Sequence, residues 1–353
     1  MQSESSPPKK GEKSSLKKRW PLIITLSLLL VATVCFIVLI PIFTVKAMQD
    51  SVIRIPADAT RETVRDSISK YLGDSYASAV MKASLLRGSD FSNRHGAYLI
   101  TEGMSPLKAE RRLASGGQHP VKIVINAVRT PEILAQRVAA KLDFSPDSLL
   151  KAMQSPEILK ELGLSPSQVM TIFPEATYEV YWSASPEDFI LKTASAYEKI
   201  WTPERRHKAE ALGLTPEQVV TLCSIVEEET IKTEDKGKIG RLYINRLKKG
   251  MKLQADPTVK YALGDFSLRR IRGEHLKTNS PYNTYQVYGL PPGPIRTTSA
   301  ATIDLVLDSP PSDDIYMCAK DDFSGYHVFS SNYSDHLKNA RRYQQALNRR
   351  NIH

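Results

Sequence analysis

Cysteine is scarce in this sequence, three residues in 353. That is too few for a disulfide framework, and no Cys/His cluster recurs at zinc-site spacing. Also missing are the glycine-rich phosphate cradles GxxxxGKS/T and GxGxxG, which leaves ATP-driven and nucleotide-redox chemistry without their usual supports. Composition is otherwise globular, 41% hydrophobic and 24% charged, and this excludes a disordered or collagenous chain. At roughly 100–200 residues per domain, the length accommodates two domains, each able to bury a core.

Charge of either sign is absent from Pro21 to Val45. At 1.5 Å per residue this run exceeds a hydrocarbon core of about 30 Å, and Trp20 stands at its edge as an interfacial anchor. A cleaved signal peptide fits less well, because the run outlasts the roughly 7–15-residue apolar region of one and no small-x-small site follows. Cys35 follows bulky Val34, which speaks against a lipoprotein cysteine. Six basic residues against two acidic ones in 1–20 supply four of the ten net positive charges. This reads as an unfolded basic arm held in the cytoplasm by the positive-inside rule, with everything after the span exported. The small excess left on the exported part gives no case for nucleic acid as partner.

In the exported part, Ser or Thr precedes Pro at Ser105, Thr130, Ser145, Ser155, Ser165, Ser185, Thr202 and Thr215. Each pair reads as a helix start, a hydroxyl N-cap followed by proline at N1, where its missing N–H is harmless. Alternation predicts strands over Ser51–Ile55, Gly96–Thr101 and Val121–Val128, and 3.6-residue periodicity predicts helices over Thr60–Leu72, Pro106–Ser115 and Pro131–Leu142. From Thr215 onward the expected order is helix, helix, a Gly/Pro-rich stretch, helix, then a hairpin over Ile315–Lys320 and Tyr326–Ser330, and a basic terminal helix. Cys223 and Cys318 sit in apolar contexts and read as free thiols.

The unusual residues collect after Thr215. In PEQVVTLCSIVEEET, Val219, Val220, Leu222, Cys223, Ile225 and Val226 form an apolar helix face, with Glu228 nearly opposite it and Glu227 and Glu229 flanking it. A carboxylate bordering apolar side chains is partly desolvated, so its pKa rises toward that of a general acid. The plainer reading is a solvated acidic helix end answered by Lys232. Geometry leaves Glu227 and Glu229 equal. In LQADPTV, Asp256 before Pro257 reads first as a helix cap, and Gln254 in an extended stretch would share its side. Tyr282, Asn283, Thr284, Tyr285 and Tyr288 add amide and aromatic groups suited to sugars, or else form a proline-stiffened loop whose tyrosines pack on the core.

The succession SIVEEET, RLYINRL, LQADPTV, YNTY, GLPPGPI and GYHVF resembles the YceG-like endolytic murein transglycosylases, most closely over 222–295. The family's I-V-x-x-E-T pattern puts its catalytic acid directly before the threonine, which here is Glu229. The resemblance implies an α+β fold with a single N-terminal transmembrane helix. It implies a cytoplasmic basic arm at 1–20, the span at 21–45, a LysM-like glycan-binding subdomain at 46–128, a helical connector at 129–214 and a mixed α+β catalytic domain at 215–353. The implied activity cleaves MurNAc–GlcNAc bonds within peptidoglycan, leaving 1,6-anhydro ends. Glu229 would be the acid, Gln254, Asp256, Tyr282, Asn283 and Thr284 would bind substrate, and no metal or cofactor would be needed. The implied partners are glycan strands, the bacterial inner membrane and cell-wall synthesis complexes. Two departures stand out: Phe173-Pro174-Glu175-Ala176-Thr177-Tyr178 carries one residue more than the family's F-P-D-T-Y, and His336-Leu337 stands where His-Asn is usual. Against this reading stand a two-carboxylate hydrolase using Glu229 and Asp256, and a non-catalytic peptidoglycan-binding protein.

Overall fold

A computed structural model describes residues 13–350, apart from 92 and 269. Residues 1–12 of the expected basic arm lie outside the described residues. The rest of that arm is helical, a correction: α1 runs Lys13–Thr44. Leu, Lys and Arg are good helix formers, and lengthening an existing helix needs no new nucleus. Within α1, Trp20–Thr44 is the one segment among the described residues long and apolar enough to cross a membrane.

The chain divides into two compact units, one ending at Pro120 and one beginning at Val121. In the first, β1 (Ser51–Ile55) pairs antiparallel with β2 (Gly96–Ile100), Ser51 opposite Ile100 and Ile55 opposite Gly96. Between them lie α2 (Arg61–Leu72) and α3 (Asp74–Arg87), and α4 (Pro106–Ser115) follows. Ile53, Ile55, Val64, Ile68, Tyr76, Tyr98 and Leu113 form the buried core. Helix α3 has no counterpart among the sequence expectations. Tyr76, Ala77, Ala79, Val80, Met81, Ala83 and Ser84 are buried around most of its circumference, so no apolar stripe marks it as amphipathic.

The boundary expected at 128 falls instead at Pro120. Strand β3 (Val121–Ile125) pairs with β4 (Ala176–Val180), Val121 opposite Val180, and alternation along a strand says nothing of its partner. The second unit continues with α5 (Pro131–Ala139), α6 (Pro146–Met153), α7 (Pro156–Glu161), a 3₁₀ helix (Pro166–Ile172), α8 (Pro186–Ile200), α9 (Pro203–Leu212) and α10 (Pro216–Glu229). Each of the eight Ser/Thr-Pro pairs opens a helix. At Thr215 the hydroxyl accepts from the Gln218 N–H (3.3 Å) and the Gln218 amide oxygen accepts from the Thr215 N–H (2.9 Å), a closed capping box. Then come α11 (Thr233–Lys248), α12 (Asp256–Leu263), α13 (Ala300–Leu307), the antiparallel hairpin β5 (Tyr316–Ala319) and β6 (His327–Ser330), and α14 (Tyr333–Arg349). Residues 129–214, expected as a connector, share one core with the segment after 215: Leu134, Phe173, Phe189 and Tyr197 join Leu222, Ile225 and Leu242.

Helix α10 is the central element. Every residue from Val219 to Val226 is buried, Thr221 and Ser224 included. Helix α11 packs closely on α13 through two glycines. A Cβ at Gly237 would meet the Leu305 carbonyl at 2.7 Å and one at Gly240 would meet Val306 Cγ2 at 2.7 Å, so any side chain there would push the helices apart.

Candidate active site

Three consecutive glutamates end α10, and the fold gives each a different partner. Glu227 accepts from Lys236 Nζ (2.7 Å), Thr302 Oγ1 (2.5 Å) and Ser299 Oγ (3.2 Å). Burial works against its charge, yet these bonds, with the charges of Lys236 and Arg296, outweigh it and hold the carboxyl below its ordinary pKa. Glu228 is gripped by Arg129, Nε to Oε1 at 2.9 Å and Nη2 to Oε2 at 3.0 Å, with Arg296 Nη1 at 3.3 Å. Arg296 also holds Glu175 at 2.9 Å. The expected solvated end answered by Lys232 is thus corrected. Because α10 is enclosed on all sides, even the residue opposite its apolar face meets protein, and two arginines neutralise it.

Glu229 has no ion-pair partner among the described residues. Its Oε1 accepts from the hydroxyl of buried Tyr243 at 2.6 Å. Burial pushes the carboxyl up to about 7, the charge of Asp256 adding to the rise, while the Tyr243 bond, Lys260 and Arg246 pull it down. Its place as the last residue of α10 works the same way, since the negative end of the helix dipole disfavours a carboxylate. The structure thereby separates Glu229 from Glu227 on physical grounds that periodicity lacks. A half-protonated carboxyl at neutral pH is suited to give a proton and take one back.

Asp256 and Lys260, one turn apart on α12, complete the surroundings of Glu229. Asp256 is exposed and does not cap its helix by its side chain; Ala255 occupies the N-cap, and Asp256 accepts from Tyr285 Oη at 2.6 Å. The capping expectation fails because a tertiary donor outcompetes the local backbone. Gln254 is exposed like Asp256 while Leu253 and Ala255 between and before them are buried. Its backbone is not extended as expected but left-handed, φ +51, with its N–H donated to the Thr284 carbonyl at 3.1 Å. A glutamine held in that sparsely populated region is characteristic of functional sites. Behind it, buried Arg246 donates to the carbonyls of Leu253 (2.6 Å) and Ile315 (2.7 Å) and fixes the loop from below.

Two expected substrate ligands are structural. Asn283 is fully buried; its amide donates to Leu276 and Thr278 carbonyls at 3.0 and 2.8 Å, and its oxygen accepts from Tyr285 N–H at 3.1 Å. Thr284 is equally buried, its hydroxyl accepting from Ala255 N–H (3.0 Å) and sharing a bond with Thr258 Oγ1 (2.8 Å). Both shape the loop that carries Tyr285 and leave no polar atom for a ligand. Tyr282 is half-buried against Tyr261, ring centroids 4.7 Å apart, on the wall of a cavity of about 370 Å³ that also meets Phe266, Met170 and Glu132. In the GYHVF element, His327 is bound to Asp235, its N–H at 2.7 Å and its Nδ1 at 3.1 Å, and His336 stacks on Tyr316 at 5.2 Å. Cys223 and Cys318 are free thiols, the first buried. Among the described residues no group of three or more His, Cys, Asp or Glu side chains is placed to hold a metal ion.

Sequence reasoning missed the hydroxyl of Tyr243, which enters it only within the RLYINRL element, and the arginines at 129 and 296. Arg129 lies next to a helix-capping threonine and Arg296 in a proline-rich loop, and neither shows a local pattern that points to α10.

Known proteins are similar to this chain over most of its length. The family model described as YceG-like family matches residues 53–342. The chain is 27% identical over 273 residues to the endolytic murein transglycosylase of Bacillus subtilis (strain 168), covering 72% of this chain and 74% of that one. It is 33% identical over 172 residues to the endolytic murein transglycosylase of Streptococcus pneumoniae serotype 2, covering 48% of this chain and 31% of that one. Its fold is similar to the crystal structure of a yceG-like protein from Listeria monocytogenes, at a TM-score of 0.54 and 25% identity, covering 82% of this chain and 98% of that one.

Proposed function

The chain belongs to the YceG-like family, and on that premise we propose that it is a membrane-anchored endolytic peptidoglycan transglycosylase with Glu229 as its acid and base. The observation that carries the assignment is the difference within the glutamate triplet. Glu227 and Glu228 are bound by cations, whereas Glu229 is bound by a phenol, feels the charge of Asp256, and is pushed up to about 7. The bond attacked is the MurNAc–GlcNAc linkage. Glu229 protonates the leaving oxygen and then accepts the proton of the substrate's own 6-hydroxyl, which closes onto the anomeric carbon as a 1,6-anhydro ring. Because that nucleophile is already tethered beside the reacting carbon, proximity replaces the second catalytic carboxylate of an ordinary glycosidase. Gln254 and Asp256, both exposed at the start of α12 and the second hydrogen-bonded by Tyr285, are the groups we assign to sugar hydroxyls and acetamido groups. Tyr282 offers a ring to the glycan at the neighbouring cavity.

Trp20–Thr44 serves as the anchor, with the basic side cytoplasmic and the second unit outside the membrane. The first unit, with its strand–helix–helix–strand core, is read as the LysM-like module that holds glycan. Cell-wall synthesis complexes are the partners this placement favours.

Purified protein incubated with isolated peptidoglycan is the test, its products analysed by mass spectrometry. Anhydro ends from the wild type, and none from Glu229→Gln, support the reading, and an equally active Glu229→Gln overturns the assignment of the acid. The proximity of Asp256 to Glu229 favours one rival, a two-carboxylate hydrolase, for which reducing ends would be the product. Binding without any cleavage would instead indicate a glycan-binding protein.

A further inference from the structure

Helix α3 runs back along α1. Near its start, the Tyr76 hydroxyl donates to the carbonyl of Met104 (3.1 Å), the oxygen that also accepts from the N–H of Ala47 just beyond α1 (3.1 Å). Further along α3, Lys82 Nζ donates to the carbonyl of Ile37 at 3.0 Å. Advancing along α3 therefore retreats along α1, from the level of Ala47 to that of Ile37. The apolar segment ends at Thr44, so Ile37 lies about 10 Å inside it at 1.5 Å per residue. Its 25 residues measure about 37 Å against a hydrocarbon core of about 30 Å. Even if the whole excess projects on this side, the core still reaches past Ile37.

Beyond Lys82, α3 continues through Leu85, Leu86 and Arg87 before Gly88 closes it in the left-handed conformation, φ +64. Leu85 is 68% and Leu86 59% exposed, although Val80 and Ala83 on the same helix are buried. We propose that this tip, from Lys82 to Gly88, is a membrane-interface wedge, in which Leu85 and Leu86 enter the boundary between headgroups and acyl chains of the bilayer that α1 crosses. Lys82 then lays its stem along the apolar surface with its ammonium spent on the Ile37 carbonyl, and Arg87 is held by Glu110 at 2.9 Å. The inference rests on α1 being an anchor and on no part of the catalytic reading. It gives the first unit a second attachment to the membrane, beside the covalent one.

The experiment uses the full chain with Cys35→Ala and Cys318→Ala, reconstituted in vesicles of phosphatidylcholine and phosphatidylglycerol. A single environment-sensitive fluorophore is placed in turn by Leu85→Cys, Leu86→Cys, Leu30→Cys inside the span and Tyr181→Cys on the exposed surface of the second unit. Blue-shifted emission at 85 and 86, with loss of intensity when the lipids carry bromine near the headgroup, is expected. Water-like, unquenched emission at both positions, with Leu30→Cys strongly quenched by lipids brominated near their chain ends, overturns the wedge and leaves the anchor standing. An unquenched Leu30→Cys overturns the anchor and the wedge with it.

Discussion

The hydroxyl of Tyr243 donates to Glu229 Oε1 at 2.6 Å, the shortest route by which the fold acts on that carboxyl without a formal charge. A neutral donor stabilises the carboxylate only in part, and so leaves it within reach of a proton at neutral pH. Tyr243→Phe removes that stabilisation and raises the Glu229 pKa above its value of about 7. The alkaline limb of the pH–rate profile, where the acid is lost, then moves to higher pH. Cleavage rates measured across pH 5 to about 9 check this, and a limb that stays put or moves down contradicts it.

Asp256→Asn has the opposite sign. The charge of Asp256 adds to the rise of Glu229, so removing it lowers the Glu229 pKa and brings the alkaline limb down in pH, while the amide oxygen can still accept from Tyr285. Anhydro products are expected to persist at a reduced rate, about 10-fold lower if one sugar contact worth roughly 1.4 kcal/mol is lost. Complete loss of cleavage, with reducing ends in the wild type, would instead mark Asp256 as a catalytic carboxylate.

Glu229 should make the fold weaker above neutral pH. A carboxyl whose folded pKa is raised binds its proton more tightly folded than unfolded, so its penalty is absent below the ordinary value of 4.5, grows between there and about 7, and is constant above. Glu229→Gln removes it. The variant is expected to gain on the order of 2 kcal/mol at pH 8 and nothing at pH 4. Denaturant melts at the two pH values decide, and equal differences at both would contradict the raised pKa.

Arg129→Ala takes away the bidentate partner of Glu228 and leaves a partly buried carboxylate with Arg296 alone. A loss of about 1–3 kcal/mol in stability is expected, and a matching Glu228→Gln change should recover part of it. Urea melts of the single and double variants measure the coupling, and additive losses would mean that the pair contributes no mutual stabilisation.

Local chemistry explains how much could be read beforehand. Hydroxyl-proline pairs announced eight helix starts correctly, because a cap acts within four residues of chain. The six apolar positions of α10 were likewise legible, being one helix's own periodicity. What escaped was decided by other parts of the chain. The burial of Thr221 and Ser224, and hence the fate of Glu228, depends on neighbours that enclose α10 on its polar side. Asn283 looked like a sugar ligand by residue type alone, but its amide closes its own loop. Glu229 was ambiguous by geometry and was singled out beforehand only by the resemblance. Its distinct environment, with Tyr243 rather than a cation, requires α11 to be in place.

The two arginines on Glu228 also bear on the order of folding. Arg129 lies 99 residues from Glu228 in sequence, and Arg296 lies 121 from Glu175. Contacts of such separation close late, since loop entropy must be overcome before they form. The end of α10 is therefore fastened only once the chain from β3 to α13 has come together. A fragment starting at Thr215 would lack Arg129, Glu175 and both strands of the β3–β4 pair. It would contain Glu229 but not the clamp beside it, so the smallest piece with the end of α10 fully fastened begins at about Val121, well before the helix that bears Glu229.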